Sequence, residues 1–417
     1  MDQTRKASSW KAYSLASLVG IVVVLALALV TRIWVLTAIP IGFLFGFFLQ
    51  KGDLCGSSAF SEVIMMKDRR KVFGLWVVIV VGMAGIAALD LLGWVKLNPK
   101  PLTYLNYIVG GLIFGVGMVL AGGCVSGCLY KAGSGNLNSI VALAGIPLGV
   151  MVVEHGPLNS LFLSMKGMLI KTGDGEVMSL PNLLGLPFWV PTLFFGAATL
   201  LAVWFFRKKT QSRTQETSIR GAALQRSLTR PWKPWVAGLA IGLLMIPAYL
   251  SSAASGRNYP LGVTHGVMQA ELLLIDQNFK HVWKAESPSP PPAVPASSDV
   301  FRAQAMAKDA KVQEKKVSWW LVALVLSLIL GSFVSGRLSG QARLLPKPPD
   351  EVLIALLGGV LVGIGAAIAT GCVVGNIMSG WALMSIGNVL FAIVAILANW
   401  ATTYFYMMGG AVSRRSG

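Results

Sequence analysis

Charge is scarce in this chain: 12% of its 417 residues are Asp, Glu, Lys or Arg, about half the share of a soluble domain. Too little solvating surface remains for a soluble enzyme of this length. Cysteine and histidine are scarcer still, at four and three. None of the cysteines lies in a polar loop and no histidine cluster has zinc-ligand spacing, so a disulfide scaffold and a structural metal centre are not expected. Acidic residues number 17 against 35 basic ones, a net charge of +18. No motif that reads nucleic acid accompanies this excess. Basic residues between apolar runs instead mark cytoplasmic loops. Without a buried carboxylate pair, a coupling site for protons or sodium is not evident.

What the chain has is apolar sequence in membrane-spanning lengths. Full spans are expected at Leu15–Leu36, Val72–Trp94, Leu137–Val153, Pro187–Phe206, Ser318–Leu338 and Ser385–Met407. Four further apolar stretches are broken by Gly, Pro or Ser: Ile39–Leu49 with Cys55–Met66, Tyr107–Ala121 with Val125–Tyr130, Trp235–Leu250 with Leu261–Ile275, and Val352–Ala369 with Val373–Trp381. Each reads as two half-helices meeting at a break, which is tolerated at membrane depth only where protein or a cavity surrounds it. The expected fold is an all-α polytopic membrane protein, an inverted repeat with broken, re-entrant half-helices. Lys67–Lys71, the basic loop 207–233, and Arg414 with Arg415 place both termini in the cytoplasm. The expected division is a first repeat over 1–155, an external loop over 156–186, the start of the second repeat over 187–276, a Pro-rich external linker over 277–317 and the remainder over 318–417.

The repeat is visible directly. A shift of 248 residues lays GGLIFGVGMVLAGGCVSG (Gly110–Gly127) on GGVLVGIGAAIATGCVVG (Gly358–Gly375), with nine of 18 positions identical. A weaker correspondence sets Gly42 and Gly46 against Gly238 and Gly242, and Cys55 opposite Ser251. Transporters built on inverted repeats hold substrate at the repeat interface.

Three cysteines follow the breaks: Cys55, Cys124 and Cys372. Gly56 and Ser57, Gly123 and Gly127, and Gly371, Gly375 and Asn376 flank them. A half-helix starting at such a break directs free N–H groups and a positive dipole end at an anion. A thiol adds a soft, polarisable, weakly donating group. The combination suits a small anion carrying a soft atom. Cys128, one turn beyond Cys124 and aligned with Asn376, could join them. Lys131 reads as a snorkelling anchor.

At these residues the chain resembles the YeeE/YedE family of bacterial inner-membrane transporters of sulfur compounds, through Leu54–Phe60, Ala121–Gly127 and Thr370–Asn376, and through Arg257–Thr264. The resemblance implies uptake of thiosulfate, passed along a narrow path by S–H···S contacts at Cys55, Cys124 and Cys372 without covalent chemistry, and adds Thr264 to the site. It implies no cofactor and no enzymatic activity. Expected partners are a small sulfur anion, membrane lipid, and a cytoplasmic sulfur-carrier protein that could dock on the basic loop. The anion would meet Cys55 first and Cys372 last. Cys128 keeps two alternatives open: a selenium compound as substrate, or a membrane sulfurtransferase with a Cys124/Cys128 persulfide pair.

Overall fold

The computed structural model describes residues 2–170, 177–209, 229–275, 280–282, 316–342 and 348–409. Most of the basic loop (including Arg213, Arg220 and Arg226), most of the Pro-rich linker, and Arg414 with Arg415 lie outside the described residues. The protein is an all-α polytopic membrane protein; nine of its described segments are long and apolar enough to cross a bilayer.

Helices follow the apolar runs because each run is rich in residues that tolerate helical backbone, and each stops where that backbone cannot continue. The chain runs through α1 (Asp2–Thr31), α2 (Ala38–Gly52), α3 (Gly56–Met65), α4 (Arg70–Leu91), α5 (Tyr104–Leu120), α6 (Val125–Gly133) and α7 (Leu137–Glu154). Two short helices, α8 (Asn159–Gly167) and α9 (Leu180–Leu184), occupy the connection expected as a plain loop. After α10 (Trp189–Lys209) come α11 (Pro234–Ala254) and α12 (Thr264–Ile275). Strands β1 (Lys280–Val282) and β2 (Lys316–Ser318) pair in parallel and join the two ends of the Pro-rich linker. Helices α13 (Trp319–Leu338) and α14 (Pro349–Ile368), a π-helical turn Val373–Met378 that continues into α15 (Ser379–Ala382), and α16 (Ile386–Thr402) complete the order. All four broken stretches are broken in the structure.

Small residues fix how the two halves meet. A Cβ on Gly110 would strike the backbone N of Ala369, and one on Gly358 would strike the backbone N of Ala121. The 248-residue shift turns one contact into the other. Likewise Gly117 lies on Val362, and its equivalent Gly365 lies on Phe114, the equivalent of Val362. Low numbers meet high ones along both helices, so α5 and α14 are antiparallel. Reciprocal contacts between antiparallel equivalents describe a two-fold axis across the helices, the geometry of an inverted repeat. Close backbone approach at glycine is how membrane helices gain packing energy where lipid offers no hydrophobic contrast.

The flanking pairs obey the same symmetry: α14 packs along α7 as α5 packs along α16, and α2 along α13 as α11 along α4. By element order the residue equivalent to Cys55 is Val263, which precedes α12. Ser251, the sequence expectation, instead lies inside α11 and accepts from Trp320 Nε1 at 2.7 Å. The break between α11 and α12 is longer than the others, so a fixed offset loses register there.

Connections gather at the two ends of the bundle. One end collects the α4–α5 connection, the α11–α12 break, the α8–α9 segment and Ser385, tied by Leu102 to Ile170, Ser179 to Ser385 and Tyr249 to Lys96. The other collects Lys51, Asp53, Lys71, Lys131 and Trp232, whose backbone N–H donates to Lys51.

Candidate functional site

Three breaks are built the same way. A residue in the left-handed region stands two positions before each of Cys55, Cys124 and Cys372: Asp53 (φ 45°), Gly122 (φ 67°) and Thr370 (φ 53°). The reversal lets backbone amides fold back on the ending helix, Leu54 to Leu49 at 3.1 Å and Gly371 to Ala366 at 2.8 Å, as helix C-caps do. Each chain then extends for one residue and starts a new helical segment. Cys55, Cys124 and Cys372 are the N-cap residues of those segments, all extended and all without a side-chain capping bond. A Ser or Asp there would turn its oxygen onto the helix; the thiols stay available.

All four cysteines are free and fully buried. Cys55 Sγ lies 4.0 Å from Cys124 Sγ, and Cys124 Sγ lies 3.4 Å from Ser126 Oγ. Gly127 makes room, since a Cβ there would overlap Cys55 Sγ. Gly56 packs against Val373, with a Cβ position 2.6 Å from that side chain, so the third break adjoins the first. Ser57 Oγ donates to Met118 O at 2.7 Å and ties α3 to α5. The three breaks therefore converge.

Cys128 has a different partner from Cys124. Its Sγ faces Gly123 O at 3.6 Å, and its equivalent Asn376 donates Nδ2 to Gly371 O, the equivalent carbonyl, at 3.0 Å. Asn376 Nδ2 also reaches Ala369 O at 3.0 Å. Gly123 is packed against Cys128 and Gly371 against Asn376, whereas the Cβ direction of buried Gly375 is open. Thr264 is buried with its Oγ1 unpartnered, and among the described residues no hydrogen bond joins it to the cysteines.

Sequence reasoning missed the cations. Lys100 Nζ donates to Thr370 O and, at 2.9 Å, to Asn376 Oδ1. Tyr259 donates to Gly375 O at 2.6 Å, and both Lys100 and Arg257 lie over its ring. The ion pairs between described residues include Arg70 with Asp68, and Lys71 with Asp53 and Glu62. Lys100 and Arg257 are in neither set. Burial, with Arg257 nearby, brings Lys100 down to about 7; burial brings Arg257 to about 10. The available signal was a lysine set between Pro99 and Pro101 with no acid nearby. At the other end, Lys131 does not snorkel: its Nζ turns back to Gly122 O at 2.7 Å. Beside it opens a cleft of about 590 Å³ lined by Lys51, Asp53, Lys71 and Tyr130. Tyr130 donates to Asp53 Oδ1 at 2.7 Å.

Buried thiols at three helix starts, with cations at either end, can hold a sulfur anion by soft and charged contacts together. A family profile described as sulphur transport matches residues 51–401. The chain belongs to that family. The matched region contains every break and all four cysteines. It is similar to the thiosulfate transporter TsuA of Spirochaeta thermophila, 31% identical over 89% of this chain and 98% of the relative. TsuA of Escherichia coli is 27% identical over 89% and 94%. The probable transporter YedE of Escherichia coli is 32% identical over a shorter stretch, 22% of this chain and 23% of its own. The family likeness thus extends over nearly the whole membrane domain, and these relatives carry transporter names.

Proposed function

We propose that this protein carries thiosulfate, or a closely similar small sulfur anion, inward across a bacterial inner membrane, without covalent chemistry. The observation that carries the reading is the contact between Cys55 Sγ and Cys124 Sγ from two different breaks, with Cys372 at the adjoining third. Thiosulfate has a terminal sulfur that accepts from thiols and oxygens that accept from amides and ammonium groups. A helix start bearing a thiol offers both at once.

With both termini cytoplasmic, the end bearing Lys100 and Arg257 is external and the cleft beside Lys131 internal. The anion then meets Cys372 first and the Cys124–Cys55 pair second. This reverses the order expected from sequence, because Lys100 and Asn376 adjoin the Cys372 break while Asp53 and Lys131 adjoin the other two. Inward movement of an anion works against an inside-negative potential, at about 2.3 kcal/mol per charge per 100 mV. Rapid consumption inside, through a sulfur-carrier protein docked on the basic cytoplasmic loop, would draw it through.

Uptake of sulfur-labelled thiosulfate by proteoliposomes containing the full chain tests the reading, and no uptake above protein-free liposomes overturns it. The sulfurtransferase alternative requires Cys128 to attack or resolve at Cys124. The pairing of Cys128 with Gly123 O, where the repeat uses Asn376, favours a bracing role instead. Unimpaired uptake by Cys128→Ser supports bracing; a trapped Cys124 persulfide would support the enzyme.

A further inference from the structure

Two lysines do the same thing at opposite ends of the molecule. The carbonyls of Gly122 and Thr370 are repeat equivalents, both belong to left-handed residues, and both stand two positions before a cysteine. Each accepts from a lysine ammonium: Lys131 on Gly122, Lys100 on Thr370. The lysines are not repeat equivalents. Lys131 lies on α6, beyond the break it caps; Lys100 comes from the connection before α5. Duplication of one packing contact does not yield the same arrangement from unrelated positions.

Neither lysine joins an ion pair within 4.0 Å among the described residues. A carbonyl engages one of the three N–H donors of an ammonium and leaves the others free; Asp53 lies near Lys131 without pairing with it. Lys100 adds only the neutral Asn376 Oδ1. A half-buried cation held by neutral oxygens beside a thiol-bearing helix start is suited to exchanging a carbonyl for an anionic oxygen, the stronger acceptor.

We propose that Lys100 and Lys131 are the substrate-contacting cations of the path, Lys100 at entry and Lys131 at exit. Each turns its ammonium from the break carbonyl onto the anion's oxygens while the neighbouring thiol holds the sulfur. This rests on the anion-transport reading above.

Replacement by Gln keeps an N–H donor for the carbonyl and removes the charge; replacement by Arg keeps the charge. Labelled thiosulfate uptake would be measured against concentration in proteoliposomes of uniform orientation. Lys100→Gln should raise the half-saturating concentration about tenfold, the effect of losing one charge-assisted hydrogen bond, and leave maximal uptake near wild type. Lys131→Gln should lower maximal uptake by a similar factor and leave half-saturation in place. Lys100→Arg and Lys131→Arg should stay within about threefold of wild type on the same scale. Wild-type kinetics in both Gln variants would make the lysines plain carbonyl caps and overturn the proposal. If a Gln variant does not fold, its Arg variant decides: kinetics near wild type support the proposal, and the loss predicted for Gln overturns it. A wild-type chain that takes up no thiosulfate refutes the functional reading itself, a distinguishable failure.

Discussion

Cys55 and Cys124 bring their sulfurs to 4.0 Å from breaks 69 residues apart in the chain, and the absence of a side chain at Gly127 is what permits it. The pair sits where α3 and α6 begin, so one anion can touch both thiols and both helix starts. Cys124→Ala and Cys372→Ala should each cut thiosulfate uptake at least about tenfold, the size expected when a desolvated donor contact is lost. Each variant deletes one buried sulfur atom, so melting temperature should fall only slightly, by the cost of a small cavity. Unchanged uptake in both variants would remove the cysteine path and leave the fold untouched.

Gly127→Ala should act on the same pair without touching a sulfur. The new methyl overlaps Cys55 Sγ, and the thiol must rotate away from Cys124. Uptake should fall as far as in Cys124→Ala. Gly375→Ala, at the equivalent position, meets nothing within 4 Å and should leave melting temperature unchanged. A thermal-shift measurement on both purified variants, beside the uptake assay, checks the contrast.

Thr370 is β-branched and left-handed (φ 53°), a conformation costing roughly 1–2 kcal/mol for L residues. Its repeat equivalent is Gly122, which adopts the same backbone without that cost. Thr370→Gly should therefore stabilise the protein by about 1 kcal/mol after the entropy of the added glycine is set against the relief. A lowered melting temperature would show that the hydroxyl or methyl of Thr370 contributes more than the strain.

Helix packing between the repeats gives a stability contrast. Gly365→Ala would drive a methyl into the backbone of Phe114, which cannot move aside cheaply; overpacking of this kind costs about 1–3 kcal/mol. Gly196→Ala, in α10, meets no neighbour and gains about 1 kcal/mol of helix propensity. Melting curves in detergent should move in opposite directions.

The affinity for thiosulfate should depend on external pH. Lys100 is held down to about 7 by burial and Arg257, so it is charged below that pH and loses its charge as pH rises through it. Groups facing it are Arg257, Tyr259, Cys372, Asn376 and His265. Half-saturation should rise between about pH 6 and pH 8 in wild type and stay level in Lys100→Arg, because guanidinium does not titrate there. Initial rates across that range, at fixed internal pH, are the measurement.

Much of this protein was legible in one dimension. The bilayer demands long apolar runs with internally satisfied backbones, so the spans, the breaks and the three cysteine positions could be read from hydropathy and punctuation. The Gly-Cys repeat announced the symmetry, because close helix contact leaves its mark in glycine spacing. Tertiary structure alone decided the rest. It joined Cys55 to Cys124, set Cys128 against the carbonyl of Gly123, moved the Cys55 equivalent from Ser251 to Val263, and turned Lys131 back from the lipid interface. It also brought Lys100, from an unremarked loop, to the carbonyl of Thr370. The physical reason is the same throughout: hydropathy and helix stops are local properties of the chain. The partner that satisfies a thiol or an ammonium is chosen by elements hundreds of residues away, once packing has brought them together.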